Sequence, residues 1–133
     1  MKVAVLLGRV LFSLIFLFTI PGHFSPQLIG YAAAQGVPAP SFLVPLSGII
    51  AFAGGLSIVF GYKAKLGAWL IIIFLVPVTL FMHAFWKITD PVAQQMDMVM
   101  FMKNVGLTGA ALMITYFGAG PLSVDEKMAG NRK

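Results

Sequence analysis

Long apolar stretches broken by short polar turns set the pattern of this chain. No Asp, Glu, Lys or Arg occurs between Arg9 and Lys63, and a second run without charge covers Leu66 to Trp86. A helix crossing a hydrocarbon core needs about 20 apolar residues, and both runs meet or exceed that. The punctuation divides them into four predicted spans: Val3–Ile20, Ser41–Gly61, Leu66–Trp86 and Met98–Phe117. Pro21-Gly22 and Pro26 stop the first span, and Pro38 with Pro40 forbids a regular helix before the second. Within that link, Ser25-Pro26 reads as a cap and first helical residue and Gly36 as a stop, so a short interfacial helix is expected over Pro26 to Gln35. Tyr62–Lys65 is a tight turn, Lys87–Gln95 is a polar loop containing Asp90-Pro91, and the chain turns polar after Gly120. The fold expected is all-α: an antiparallel four-helix membrane bundle over 1–120, with a polar, solvated cytoplasmic tail over 121–133.

Composition agrees. Of 133 residues, 59% are hydrophobic and 10% charged, against roughly 45–50% and about 25% in soluble domains. The net charge of +5 is spread along the chain without a basic patch, which argues against nucleic acid as a partner. With no cysteine there is no disulfide, thiolate metal site or thiol nucleophile. A cleaved signal peptide is not expected, because Arg9 interrupts the first apolar run and Ala32-Ala33-Ala34 lies too far beyond it. Lysine and arginine bias fixes the expected orientation. Lys2, Lys63, Lys65, Lys127, Arg132 and Lys133 fall on one side and only Lys87 on the other, so both termini are expected in the cytoplasm.

Polar residues at membrane depth are costly and mark partners or function. At 100° per residue, Arg9, Ser13, Phe16, Ile20 and His23 share a face of the first span. Trp69, Ile72, Val76, Thr79, His83 and Trp86 share one of the third, and Asp97, Asn104, Thr108, Ala111 and Thr115 form a stripe on the fourth. Ser47, Ala51, Gly54 and Gly61 give the second a small-residue face for close packing. Topology then gathers His23, His83, Trp86, Asp97, Lys103 and Asn104 near one surface, with Lys103 roughly 9 Å inside it. Arg9 lies in the opposite half, where snorkelling toward headgroups is the expectation. No metal site is expected: Met96, Met98, Met100 and Met102 alternate and so spread around a helix, and a haem between His23 and His83 is disfavoured by their places at chain bends.

Several ordered features resemble the DoxX family of small bacterial four-helix membrane proteins. They are Gly8-Arg9, Gly22-His23, Gly36-Val37-Pro38-Ala39-Pro40, Gly54-Gly55-Leu56 with Gly61, His83-Ala84-Phe85-Trp86, Phe101-Met102-Lys103-Asn104, and Gly118-Ala119-Gly120 with Ser123-Val124-Asp125. The chain departs from the pattern at His23, commonly lysine there, and at Ala51, where many members carry glutamate. The resemblance implies the bacterial inner membrane and an association with membrane redox complexes and quinone. On that expectation His83 and Lys103 donate to quinone carbonyls, Lys103 offsets negative charge on the ring, His83 exchanges the proton, Trp86 stacks, and Asn104 and Asp97 hold the pair. The alternatives are a non-catalytic scaffold for a membrane partner or homo-oligomer and, less favoured, a small-solute transporter.

Overall fold

A computed structural model describes residues 1–131, so Arg132 and Lys133, counted in the expected orientation, lie outside the described residues. The described chain is helical: α1 (Lys2–Phe18), a 3-10 turn (Ile20–Phe24), α2 (Pro26–Ala34), α3 (Pro40–Phe60), α4 (Ala64–Met82), a second 3-10 turn (Phe85–Lys87), α5 (Pro91–Phe117) and α6 (Val124–Gly130). Four helical stretches, Lys2–Phe24, Pro40–Phe60, Ala64–Lys87 and Pro91–Phe117, are long and apolar enough to cross a bilayer. The interfacial helix forms as its sequence signals: Ser25 Oγ accepts from Leu28 N at 3.2 Å and Pro26 is the first helical residue.

The fourth span begins seven residues before the predicted Met98. Asp90 caps it, accepting from Ala93 N at 2.8 Å, and Pro91 opens it. Its 27 residues extend about 40 Å at ~1.5 Å per residue, so the first turns project beyond a core of about 30 Å. The third helix ends at Met82, four residues before the predicted Trp86.

Packing runs in chain order: α1 on α3, α3 on α4, and α4 on α5. Close backbone approach between α1 and α5 is sparse among the described residues, so this side of the bundle is loosely closed. Glycine permits the tightest seams. A methyl group on Gly54 would stand 2.8 Å from Gly67 O, one on Gly67 would stand 3.0 Å from Gly54 O, and one on Gly55 would press on Phe16 and Leu17. The double glycine therefore serves two neighbours, Gly54 facing α4 and Gly55 facing α1. Phe16, Ala51, Ile58, Ala68, Ile71, Phe74, Leu75 and Ala111 fill the core.

The start of α1 and the segment after α5 lie at the end of the bundle that carries the α3–α4 turn. There the start of the tail is docked, through Ser123 and Asp125, while Glu126 to Asn131 are exposed. Asp125 accepts from Lys63 N at 2.8 Å and Ala64 N at 3.1 Å, and its own N–H donates to Gly61 O at 2.8 Å. Lys63 has φ 50, a left-handed backbone that these bonds hold in place, and Ser123 is buried against Gly61. Asp125 thus caps the start of α4, whose first N–H groups have no partner within the helix.

Arg9 does not snorkel to headgroups. It is 4% exposed, and donates from Nη1 to Ala119 O at 2.7 Å and from Nη2 to Leu122 O at 2.8 Å. The guanidinium thus straps α1 to the chain leaving α5, across the side where those helices barely touch.

Candidate functional site

At the opposite end the helices part around a cavity of about 730 Å³. Its walls are mostly aliphatic and aromatic, drawn from α1 through α5, and Thr19, His23, Tyr31, Ser47, His83, Lys103 and Asn104 carry its polar side-chain groups. Several lining residues are themselves surface residues: Phe18, Tyr31, Ile73 and Phe81 are each exposed, so the cavity opens sideways.

His23 reaches the cavity because the 3-10 turn after α1 folds it inward. The ring is 8% exposed and packs on Phe74 with centroids 5.7 Å apart. Its Nδ1 donates to Thr19 O at 3.0 Å. A methyl group on Gly48 would fall 2.5 Å from His23 Cβ, so a glycine on α3 makes room for this histidine.

His83 sits where α4 stops, with backbone angles outside the helical range, and its Nδ1 pairs with Asp97 Oδ1 at 2.8 Å. Among the described residues this is the only basic side chain within 4 Å of a carboxylate. An outward helix end meets an inward helix start, which is the juxtaposition the topology requires.

Asn104 is 5% exposed and lines the cavity, and its carboxamide makes no hydrogen bond to another described residue. Its polar atoms are not sealed off by protein, as Arg9 Nε and Ser13 Oγ are, so they are open to a molecule in the cavity. Its neighbours on the stripe, Thr108, Ala111 and Thr115, face inward or partly so, as their spacing predicts.

Other expected members sit elsewhere. Lys103 is exposed at the cavity rim, where Nζ donates to Met100 Sδ at 3.4 Å; neither Asp97 nor Asn104 holds it. Trp86 is 53% exposed and does not line the cavity. It meets Phe85 and Phe101 edge-on, with centroids 5.3 and 5.8 Å away. The chain leaves the helix at His83, so Trp86 never occupies the face that helical spacing assigns it. Trp69 and Val76, placed on that face too, are exposed; the buried face of α4 is Gly67, Ala68, Ile71, Phe74, Leu75 and Thr79. Sequence reasoning missed Thr19, whose carbonyl fixes His23, and Ser47, whose hydroxyl donates to Val44 O at 2.7 Å. Among the described residues no cluster of three or more His, Cys, Asp or Glu could hold a metal.

Four apolar spans around a lateral cavity with a few convergent polar groups define a multi-pass integral membrane protein with a hollow interior. Residues 4–84 match the DoxX family model, and the chain belongs to the DoxX family. It is similar to inner membrane protein YqjF of Escherichia coli (strain K12), at 29% identity over 127 residues, covering 92% of this chain and 90% of that protein. Inner membrane protein YphA of the same organism is 28% identical over 131 residues, covering 94% of this chain and 90% of its own length. These relatives and the four spans place the chain in the inner membrane. No solved structure matches the chain.

Proposed function

We infer that this protein binds a membrane-dissolved quinone-class ring in the lateral cavity, as an accessory subunit of a membrane redox complex. The carrying observation is the convergence of His23, Asn104 and His83, the last paired behind with Asp97, on one apolar space of about 730 Å³, with Asn104 unpartnered. A flat ring suits the apolar walls, and its oxygens suit the buried polar groups. Asp97 orients His83, which exchanges a proton with a ring oxygen through Nε2. Lys103, at the rim, offsets negative charge near the opening.

The lipid extract of the protein purified in mild detergent is expected to contain quinone near one per chain. His83→Phe and Asn104→Leu each remove one hydrogen bond to the ring and are expected to lower total retention, quinone plus quinol, several-fold, at about 1 kcal/mol per bond. Wild-type protein free of quinone, or variants that retain it fully, overturns the reading.

The accessory role draws on the flank of α5 where Lys103 is exposed and Gly106 and Gly109 have open space beside them, a surface suited to a neighbouring helix. A stoichiometric subunit co-purifying from native membrane, and lost on Gly109→Leu, is the outcome that supports it.

The orientation drawn from lysine bias puts both termini in the cytoplasm and the cavity near the outer leaflet. The native chain has no cysteine, so single substitutions report it directly. Lys87→Cys is expected to react with an impermeant maleimide in intact cells, and Lys127→Cys only after lysis. The opposite labelling reverses the orientation.

A further inference from the structure

The hydrogen-bond sense of the cavity can be worked out from what fixes each ring. A carbonyl oxygen only accepts, so the bond from His23 Nδ1 to Thr19 O places the proton of a neutral imidazole on Nδ1. The Asp97 carboxylate likewise holds the His83 proton on Nδ1. A neutral imidazole carries one N–H, so in both rings Nε2 is left as a lone-pair acceptor, and neither has a partner among the described residues. Asn104 adds two amide N–H donors and one carbonyl acceptor. Lys103, a pure donor, is exposed at the rim against Met100. The two imidazole Nε2 atoms are therefore acceptors at the cavity that no described donor meets. His23 is also rigidly placed: Gly48 leaves it room, Phe74 packs its ring and Thr19 fixes its tautomer.

We propose that the cavity selects a ligand that presents hydroxyl hydrogens, with His23 Nε2 and His83 Nε2 as the groups that read them. On the quinone-class reading, on which this rests, the dihydroxy form of the ring binds in preference to the dione, and simple phenols bind as well. A ring hydroxyl donates to Nε2. A ring carbonyl in its place sets acceptor against acceptor and leaves both buried and unpaired. His23 then determines specificity, and its ring contributes recognition beyond packing.

The test is an anaerobic titration of the intact protein in detergent with four probes. They are a short-tailed benzoquinol, the matching benzoquinone, a 4-alkylphenol and its methyl ether. The phenol and ether differ only in the donated hydrogen, so redox state plays no part in that comparison. The quinol is expected to bind about tenfold tighter than the quinone, and the phenol several-fold tighter than the ether. His23→Phe keeps a ring and removes the acceptor, and it is expected to shrink both ratios, chiefly by weakening the quinol and the phenol. Equal wild-type affinities within each pair, or tighter quinone and ether, overturn the inference while the quinone-class reading stands. Failure of all four to bind overturns that reading and the inference together. The phenol–ether comparison needs no variant, so a His23→Phe chain that fails to fold does not blunt it.

Discussion

Arg9→Met is expected to destabilise the protein by about 2–4 kcal/mol, read as a lower thermal midpoint in mild detergent. Methionine keeps most of the apolar stem, so the loss isolates the guanidinium. Ala119 is 4% exposed, and its carbonyl loses the Nη1 donor at 2.7 Å; Leu122 O loses the Nη2 donor at 2.8 Å. A hydrogen bond to a charged group contributes about 1.5–3 kcal/mol, and a carbonyl left unpaired away from water costs more than the bond itself. Arg9→Lys is expected to recover only part of the loss, because a single ammonium does not reproduce a planar fork spanning two carbonyls. Truncation after Phe117 removes the same contacts from the other side. The double variant should then lose less than the sum of the two, since both changes break one interaction. An Arg9→Met protein as stable as wild type would mean that the guanidinium sits in the headgroups after all.

Gly54→Ala and Gly67→Ala form the second pair. Each added methyl meets the backbone oxygen of the other glycine, at 2.8 and 3.0 Å, and the Gly67 methyl also meets Ser57 Oγ at 2.5 Å. Backbone cannot rotate away as a side chain does, so α3 and α4 must move apart. Overpacking of this kind costs about 1–3 kcal/mol per site. Once one methyl has separated the helices, the second finds the space already made, and the double variant is expected to fall short of additive. Additive losses in detergent melts would show that the two glycines do not share a seam. Gly106→Ala on the open flank of α5, where a methyl group meets nothing, is the neutral control.

The number and order of spans were legible in the sequence, because a bilayer imposes a length and an apolar composition that few other structures need. Ser25-Pro26 was legible as a helix start. Asp90-Pro91 carries the same cap-and-proline signal, yet hydropathy points to Met98, since Gln94, Gln95 and Asp97 belong to turns of α5 that project beyond the hydrocarbon. His83 and Asp97 were foreseeable neighbours, because one helix ends where the next begins. Their pairing with each other, without Lys103, depends on side-chain direction. Trp86 was misplaced by carrying helical spacing four residues past the point where the helix stops. The Arg9 strap left no trace, since its acceptors are main-chain carbonyls, which every residue has. The docked tail shows the same difficulty: Asp125 has the composition of a solvated residue and the position of a cap.

The strap at one end and the sideways opening at the other give the bundle the build of a clothes-peg, with α1 and α5 as its jaws. Any molecule using that opening arrives already dissolved among acyl chains. Its occupancy then follows its mole fraction in lipid, and diluting the protein into more lipid at constant ligand empties the jaws even when nothing in the water changes.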